Sequence, residues 1–206
     1  MRGTVLRLGA CLAFGATLAL AGCSRSTPGA PAPAGTGTPA PATSGTQSSP
    51  PALDAEPYRT KPCDLLPAAL LKSLGYTAPG TVTAADKAVI AGNACSWNDY
   101  SGPKTRSIQV HIQRKITDPN FPGLTAIFNN YKKGLVAYAD PTEVSGYQGV
   151  FADMVDERSS GKCDLSVAIS DTQVLTASAD GYSGAQDSCD TAKQLAQAMI
   201  KTLQGS

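Results

Sequence analysis

From about Asp54 to the C-terminus the apolar residues switch repeatedly between strand and helix periods. Ile108, Val110 and Ile112 alternate with Gln109, His111 and Gln113, the two-residue period of a half-buried sheet, and predict a strand over 106–116. Between Phe121 and Tyr138 the period changes, and Leu124, Phe128, Tyr131, Leu135 and Tyr138 fall on one helical face. A last helix, capped by Ser188 or Asp190, buries Ala192, Leu195, Ala196, Met199 and Leu203. Near the start, Asp64 N-caps a helix through about Leu74; Pro67 fits its first turn, where N–H groups lack partners anyway, and Gly75 stops it. Strand-like stretches follow near 81–90 and 94–100, and the turn Ser101-Gly102-Pro103 leads into the strand at 106. After Pro141 come strands around 148–156, 163–170 and 173–179, with hairpin turns at Gly161 and Asp171-Thr172. The order α-β-β-β-α-β-β-β-α predicts an α+β fold, an antiparallel sheet with helices packed on one face. Both halves run helix then strands, without a sequence repeat.

The chain ahead of this region has a different character. Arg2 and Arg7 form a positive n-region, and Leu8 to Leu20 is uncharged. At about 13 residues this run falls short of the roughly 20 that span a bilayer as a helix, so a secretory signal peptide over 1–22 is the better reading than a spanning segment. Its end, Leu20-Ala21-Gly22-Cys23, resembles the lipobox of bacterial lipoproteins. That resemblance implies diacylglyceryl transfer to the Cys23 thiol and cleavage before it; the competing reading is a buried N-terminal helix with an incidental cysteine. Two acyl chains meet the two-signal requirement for stable anchoring, which places the protein on the outer face of the cytoplasmic membrane. Residues 24–52 are almost wholly Pro, Ala, Gly, Ser, Thr and Gln, with Arg25 the only charge. Such a stretch has too few large apolar groups to offset the entropy of ordering it, and reads as a tether behind the lipidated Cys23. Residues 53–206 then form a single extracytoplasmic domain, long enough for a real core.

Charge and cysteine use narrow the options. Of the 17 Lys and Arg, Arg2, Arg7 and Arg25 precede the domain, whereas all 16 Asp and Glu lie within it, so the domain is close to neutral. It carries no basic stripe, which argues against nucleic acid as a partner. Cys11 leaves with the signal peptide and Cys23 takes the lipid, leaving Cys63, Cys95, Cys163 and Cys189. In an exported chain these read as two disulfides; they contain no C-x-x-C pair and only one histidine exists to help a metal site. Of the three connectivities, Cys63–Cys95 with Cys163–Cys189 staples each half locally and crosses no long connection. No cofactor is implied.

Pro62-Cys63-Asp64-Leu65-Leu66, Cys95-Ser96-Trp97, Cys163 and Cys189, behind a lipobox and a Pro-rich tether, resemble a family of actinobacterial lipoproteins catalogued as domain of unknown function 3558. The resemblance spans about residues 60 to 204. It implies a secreted, membrane-anchored α+β domain without an assigned activity, and brings no catalytic residues with it.

The residues themselves offer little chemistry. His111, the only histidine, sits on the polar face of its strand, where solvent is expected to leave its pKa unperturbed. A Ser-His-Asp site would have to use it, yet Gly181-Tyr182-Ser183-Gly184-Ala185 is no nucleophile elbow and reads as a loop. Asp153, Asp156 and Glu157 lack the alternating carboxylates and central glycine of a calcium loop and read as a solvated strand end. Carboxylate pairs for sugar hydrolysis meet only in the fold. Trp97 shares a strand face with Cys95 and should pack beside its sulfur, either as a core plug or as a ligand-stacking platform. Tyr131 and Tyr138, on the long predicted helix, read as core or as the lip of a groove. The combined reading is a non-enzymatic binding module for a cell-envelope lipid or an envelope protein. The alternatives are a hydrolase of cell-wall polymers using paired carboxylates, and a structural or antigenic surface module. An apolar, aromatic pocket would favour the first; two convergent carboxylates about 5–9 Å apart would favour the hydrolase.

Overall fold

The computed structural model describes residues 50–85, 92–115 and 123–205; Cys23, the signal segment and most of the tether lie outside the described residues, as do 86–90 of the first predicted strand stretch. Residues 46–206 group as one compact unit, which contains the described core and both disulfides.

Seven strands make one antiparallel sheet: β1 (Thr81–Thr83), β2 (Ala94–Asp99), β3 (Arg106–Ile112), β4 (Tyr138–Val144), β5 (Tyr147–Asp153), β6 (Cys163–Ser170) and β7 (Gln173–Asp180). Their spatial order is β1-β2-β3-β7-β6-β5-β4, so two meanders join where β3 pairs with β7. Three α-helices accompany the sheet, α1 (Ala68–Ser73), α2 (Gly123–Lys132) and α3 (Ala185–Leu203), which makes the fold α+β. The main core lies between α3 and the sheet face of Ile108, Val110, Leu165, Val167, Leu175 and Ala177. On the helix side Leu195, Ala196, Met199 and Ile200 are fully buried. Alanines at 177 and 179 on β7 face Ala192 and Ala196 in the same core, and small side chains let helix and strand backbones approach closely.

Four details depart from the sequence pattern. The helices are not confined to one face: Leu124 of α2, with Ile127 and Phe128, packs on Val150, Val174 and Ala168, which alternate with the residues facing α3. Ala168 and Val174 are isolated apolar positions among Ser166, Thr176 and Ser178, so this second contact is faint in the pattern.

The apolar period through Tyr138 also spans two elements. Leu135 N–H donates to Asn130 O at 2.9 Å and closes α2, and Tyr138 opens a fourth strand of the second half, giving the order α-β-β-β-α-β-β-β-β-α. β4 holds Pro141, which has no N–H to donate, and lies at the sheet edge, where such a residue is tolerated.

At the start, Pro62–Leu65 forms a 3₁₀ turn and Asp64 caps no helix. Pro67 holds Leu66 extended (φ −108°, ψ 125°), so α1 begins only at Ala68. It stops at Gly75 as expected, with Tyr76 N–H donating to Leu71 O at 2.8 Å.

The last helix starts before Ser188 and Asp190. Asp187 in its first turn accepts hydrogen bonds from the Ser183 N–H (3.2 Å) and hydroxyl (2.9 Å), while Ser188, inside the helix, donates back to Gly184 O at 2.9 Å. Its buried side is the predicted one, with Leu203 partly buried.

Candidate functional site

Cys95 and Trp97 point to the same buried face of β2, as their spacing requires. Cys63, on the 3₁₀ turn, is bonded to Cys95, and Cys163 at the start of β6 is bonded to Cys189 in α3, the sequential pairing. The first bridge ties the turn, and through it α1, to β2, one strand in from the β1 edge of the sheet. Between them remains a pocket of about 530 Å³, lined among others by Leu66, Leu71, Lys72, Tyr76, Pro79 and Trp97. Trp97 is only 3% exposed, so it is both a core residue and the pocket wall beside the disulfide. Gly80 lets the loop after α1 close down on that wall: a Cβ there would come within 2.5 Å of Cys95 Sγ and 2.6 Å of the indole. Lys72, in the last turn of α1, is the one charged side chain in the lining.

The adjoining wall is fixed by residues no sequence motif marks. Tyr76 and Tyr182 share a hydroxyl–hydroxyl hydrogen bond of 3.1 Å, and the Arg106 guanidinium faces both rings at 5.9 and 5.6 Å. Asp99 holds Arg106 through two N–H donors at 2.6 and 3.2 Å, and Leu74 O accepts a third bond at 3.4 Å. Hydrogen bonds from Ser101 and then Arg106 hold the Asp99 carboxyl down at about 2. Burial raises the Tyr76 phenol, so it stays neutral and its hydroxyl is committed to Tyr182. The arrangement therefore braces the pocket.

Tyr131 and Tyr138 are not brought together and do not line the pocket. Tyr131 is 48% exposed on α2, whereas Tyr138 is buried at the start of β4 under the Arg158 guanidinium, 3.8 Å from its ring centroid. Burial pushes its phenol up to about 12. The acidic residues at the end of β5 are ion-paired: Lys162 with Asp153 (2.7 Å) and Glu157 (3.1 Å), and Arg158 with Asp156 (2.7 Å) and Asp140 (2.6 Å). Asp164, one position into β6, has a buried Oδ1 without a hydrogen-bond partner among the described residues, and burial raises its pKa.

His111 corrects the expectation of a freely solvated ring. β3 is an interior strand, His111 lies between Ala94 and Thr176, and burial pushes its pKa down to about 4. The unfolded chain binds this proton near the ordinary histidine value of 6.5, so stability is intact above that pH and falls as pH drops toward 4. His111→Gln should remove about 2 kcal/mol of the stability lost between pH 7 and pH 4, read from urea unfolding at both values. Equal losses in variant and parent would mean that the ring is not desolvated.

Residues 18–202 match the family described as protein of unknown function (DUF3558), and the chain belongs to that family. No curated protein and no solved structure matches it.

Proposed function

We propose that this protein is a lipid-anchored, non-enzymatic binding module on the outer face of the cytoplasmic membrane, and that its pocket beside Trp97 holds the apolar part of a cell-envelope ligand. The observation that carries the reading is the pocket itself: about 530 Å³, within the range of small-molecule sites, walled by aromatic and aliphatic groups and braced by a disulfide. In the acidic cluster at the end of β5, Lys162 pairs with Asp153 and Glu157, and Arg158 pairs with Asp156.

The chain has a single tryptophan, so Trp97 reports on the pocket alone. The chain from Ser24 onward should bind the neutral dye N-phenyl-1-naphthylamine saturably at one site, with Trp97 emission passing to the dye. Ala78→Phe, which places a ring in the pocket from an exposed loop position, should weaken binding by about tenfold or more, because each lost 1.4 kcal/mol is a factor of ten. Absence of saturable binding, together with turnover of peptidoglycan that vanishes on a single Asp or Glu substitution, would replace this reading with the hydrolase. The anchor is tested separately. Cys23→Ala should leave the protein soluble or unprocessed, and a mature-sized variant that still partitions with membranes would exclude lipidation at that thiol.

A further inference from the structure

Resting on the pocket reading above, we infer that the pocket selects an anionic amphiphile: an apolar chain laid against Leu71 and Trp97, with a negatively charged oxygen headgroup at Lys72.

The argument starts from the polar groups the lining leaves unspent. The Tyr76 hydroxyl is held by Tyr182 at 3.1 Å and is unavailable to a ligand. Lys72 forms no ion pair among the described residues, and its ammonium has no hydrogen-bond partner among them. An ammonium donates and cannot accept, so the ligand group that satisfies it brings acceptors. No carboxylate among the described residues lines the pocket, so none of them repels an anion within it. Thr77 adds one hydroxyl that can donate or accept, and beyond it Leu66, Leu71, Ala78 and Pro79 give a chain an apolar surface to bury against. One cation beside an apolar lining is the complement of a single-chain anionic amphiphile, and the opposite head charge would meet Lys72 directly. The walls are set in advance by the Cys63–Cys95 bridge and by Arg106 over Tyr76, so little ordering is lost on binding. The domain as a whole is near neutral, which makes the preference local to Lys72 and not a property of the overall field.

The test displaces N-phenyl-1-naphthylamine from the chain beginning at Ser24 with three ten-carbon amphiphiles below their micelle concentrations: decanoate, decanol and decyltrimethylammonium. Decanoate should displace the dye at about fivefold lower concentration than decanol, and decyltrimethylammonium should be weaker than both, the size expected of one charge-assisted contact at a wet rim. Lys72→Gln should bring decanoate to the level of decanol while leaving decanol unchanged, Lys72→Arg should keep the preference, and raising the salt should shrink it. Equal displacement by decanoate and decanol in the parent overturns the headgroup inference and leaves the apolar pocket standing. Displacement by none of the three overturns the pocket reading as well.

Discussion

Replacing both Cys163 and Cys189 by alanine is expected to cost about 3.5 kcal/mol of unfolding free energy, the loop-closure value for a bridge between residues 26 apart. The bridge joins the first residue of β6 to the second turn of α3, and that helix covers the main core with Leu195, Met199 and Ile200. Without it the unfolded chain gains freedom, and the fully buried Cys163 leaves a small defect against Ala179, its partner across β7. Guanidinium unfolding of the chain from Ser24 onward should show the midpoint falling and the slope rising, because the unbridged denatured chain exposes more surface, and dye binding at the Trp97 pocket should survive in the folded fraction. The companion variant, Cys63→Ala with Cys95→Ala, spans a similar separation of 32 residues and should cost a similar amount. It differs in outcome because that bridge borders the pocket, so dye binding should weaken with it. A loss below about 1 kcal/mol for the Cys163 and Cys189 pair would mean that α3 is held by packing alone.

The two bridges were legible because each stays within one half of the chain, and local stapling needs no knowledge of the sheet order. Strand β6 was legible for a similar reason: Leu165, Val167 and Ile169 alternate with Ser166, Ala168 and Ser170, and the turn at Asp171-Thr172 ends the run. Tyr138 was misplaced because its spacing from Leu135 and Tyr131 continues a helical period by coincidence. Only the sheet edge, which appears once β4 is paired with β5 through Ala139 and Ala152, makes Pro141 acceptable in a strand. His111 sits on the polar side of its alternation in the sequence; its desolvation depends on lying between two further strands, and β7 joins β3 across a separation that no local pattern carries. Of the candidate site, Trp97 and Cys95 were visible as a pair on one strand face. Lys72, Tyr76, Arg106 and Tyr182 were not, because Tyr76 and Tyr182 stand 106 positions apart and meet only when α1, the β2–β3 hairpin and the loop into α3 converge.

That convergence makes Gly161 a position where even the smallest side chain should do severe damage. Gly161 follows the short 3₁₀ turn Arg158–Ser160 with φ 96° and ψ 25°, a conformation that residues with a Cβ adopt only under strain. A Cβ there would also overlap the backbone carbonyl of Tyr182, whose own N–H donates to Gly161 O at 3.1 Å. Gly161→Ala should therefore combine a strained φ with a forced separation of two backbones, about 4 kcal/mol in total. Gly146→Ala separates the two contributions: φ is 87° there, yet a Cβ meets nothing within 4 Å, so about 1 kcal/mol is expected. The larger substitution has a functional signature too. Pushing Tyr182 away breaks its bond to Tyr76 and loosens Arg106 between the rings, so the pocket wall moves and dye affinity falls in whatever fraction remains folded. Urea unfolding and dye titration on the two variants decide the matter. Equal losses for Gly161→Ala and Gly146→Ala would show that the close approach to Tyr182 contributes nothing, and unchanged dye affinity in folded Gly161→Ala would uncouple that turn from the pocket.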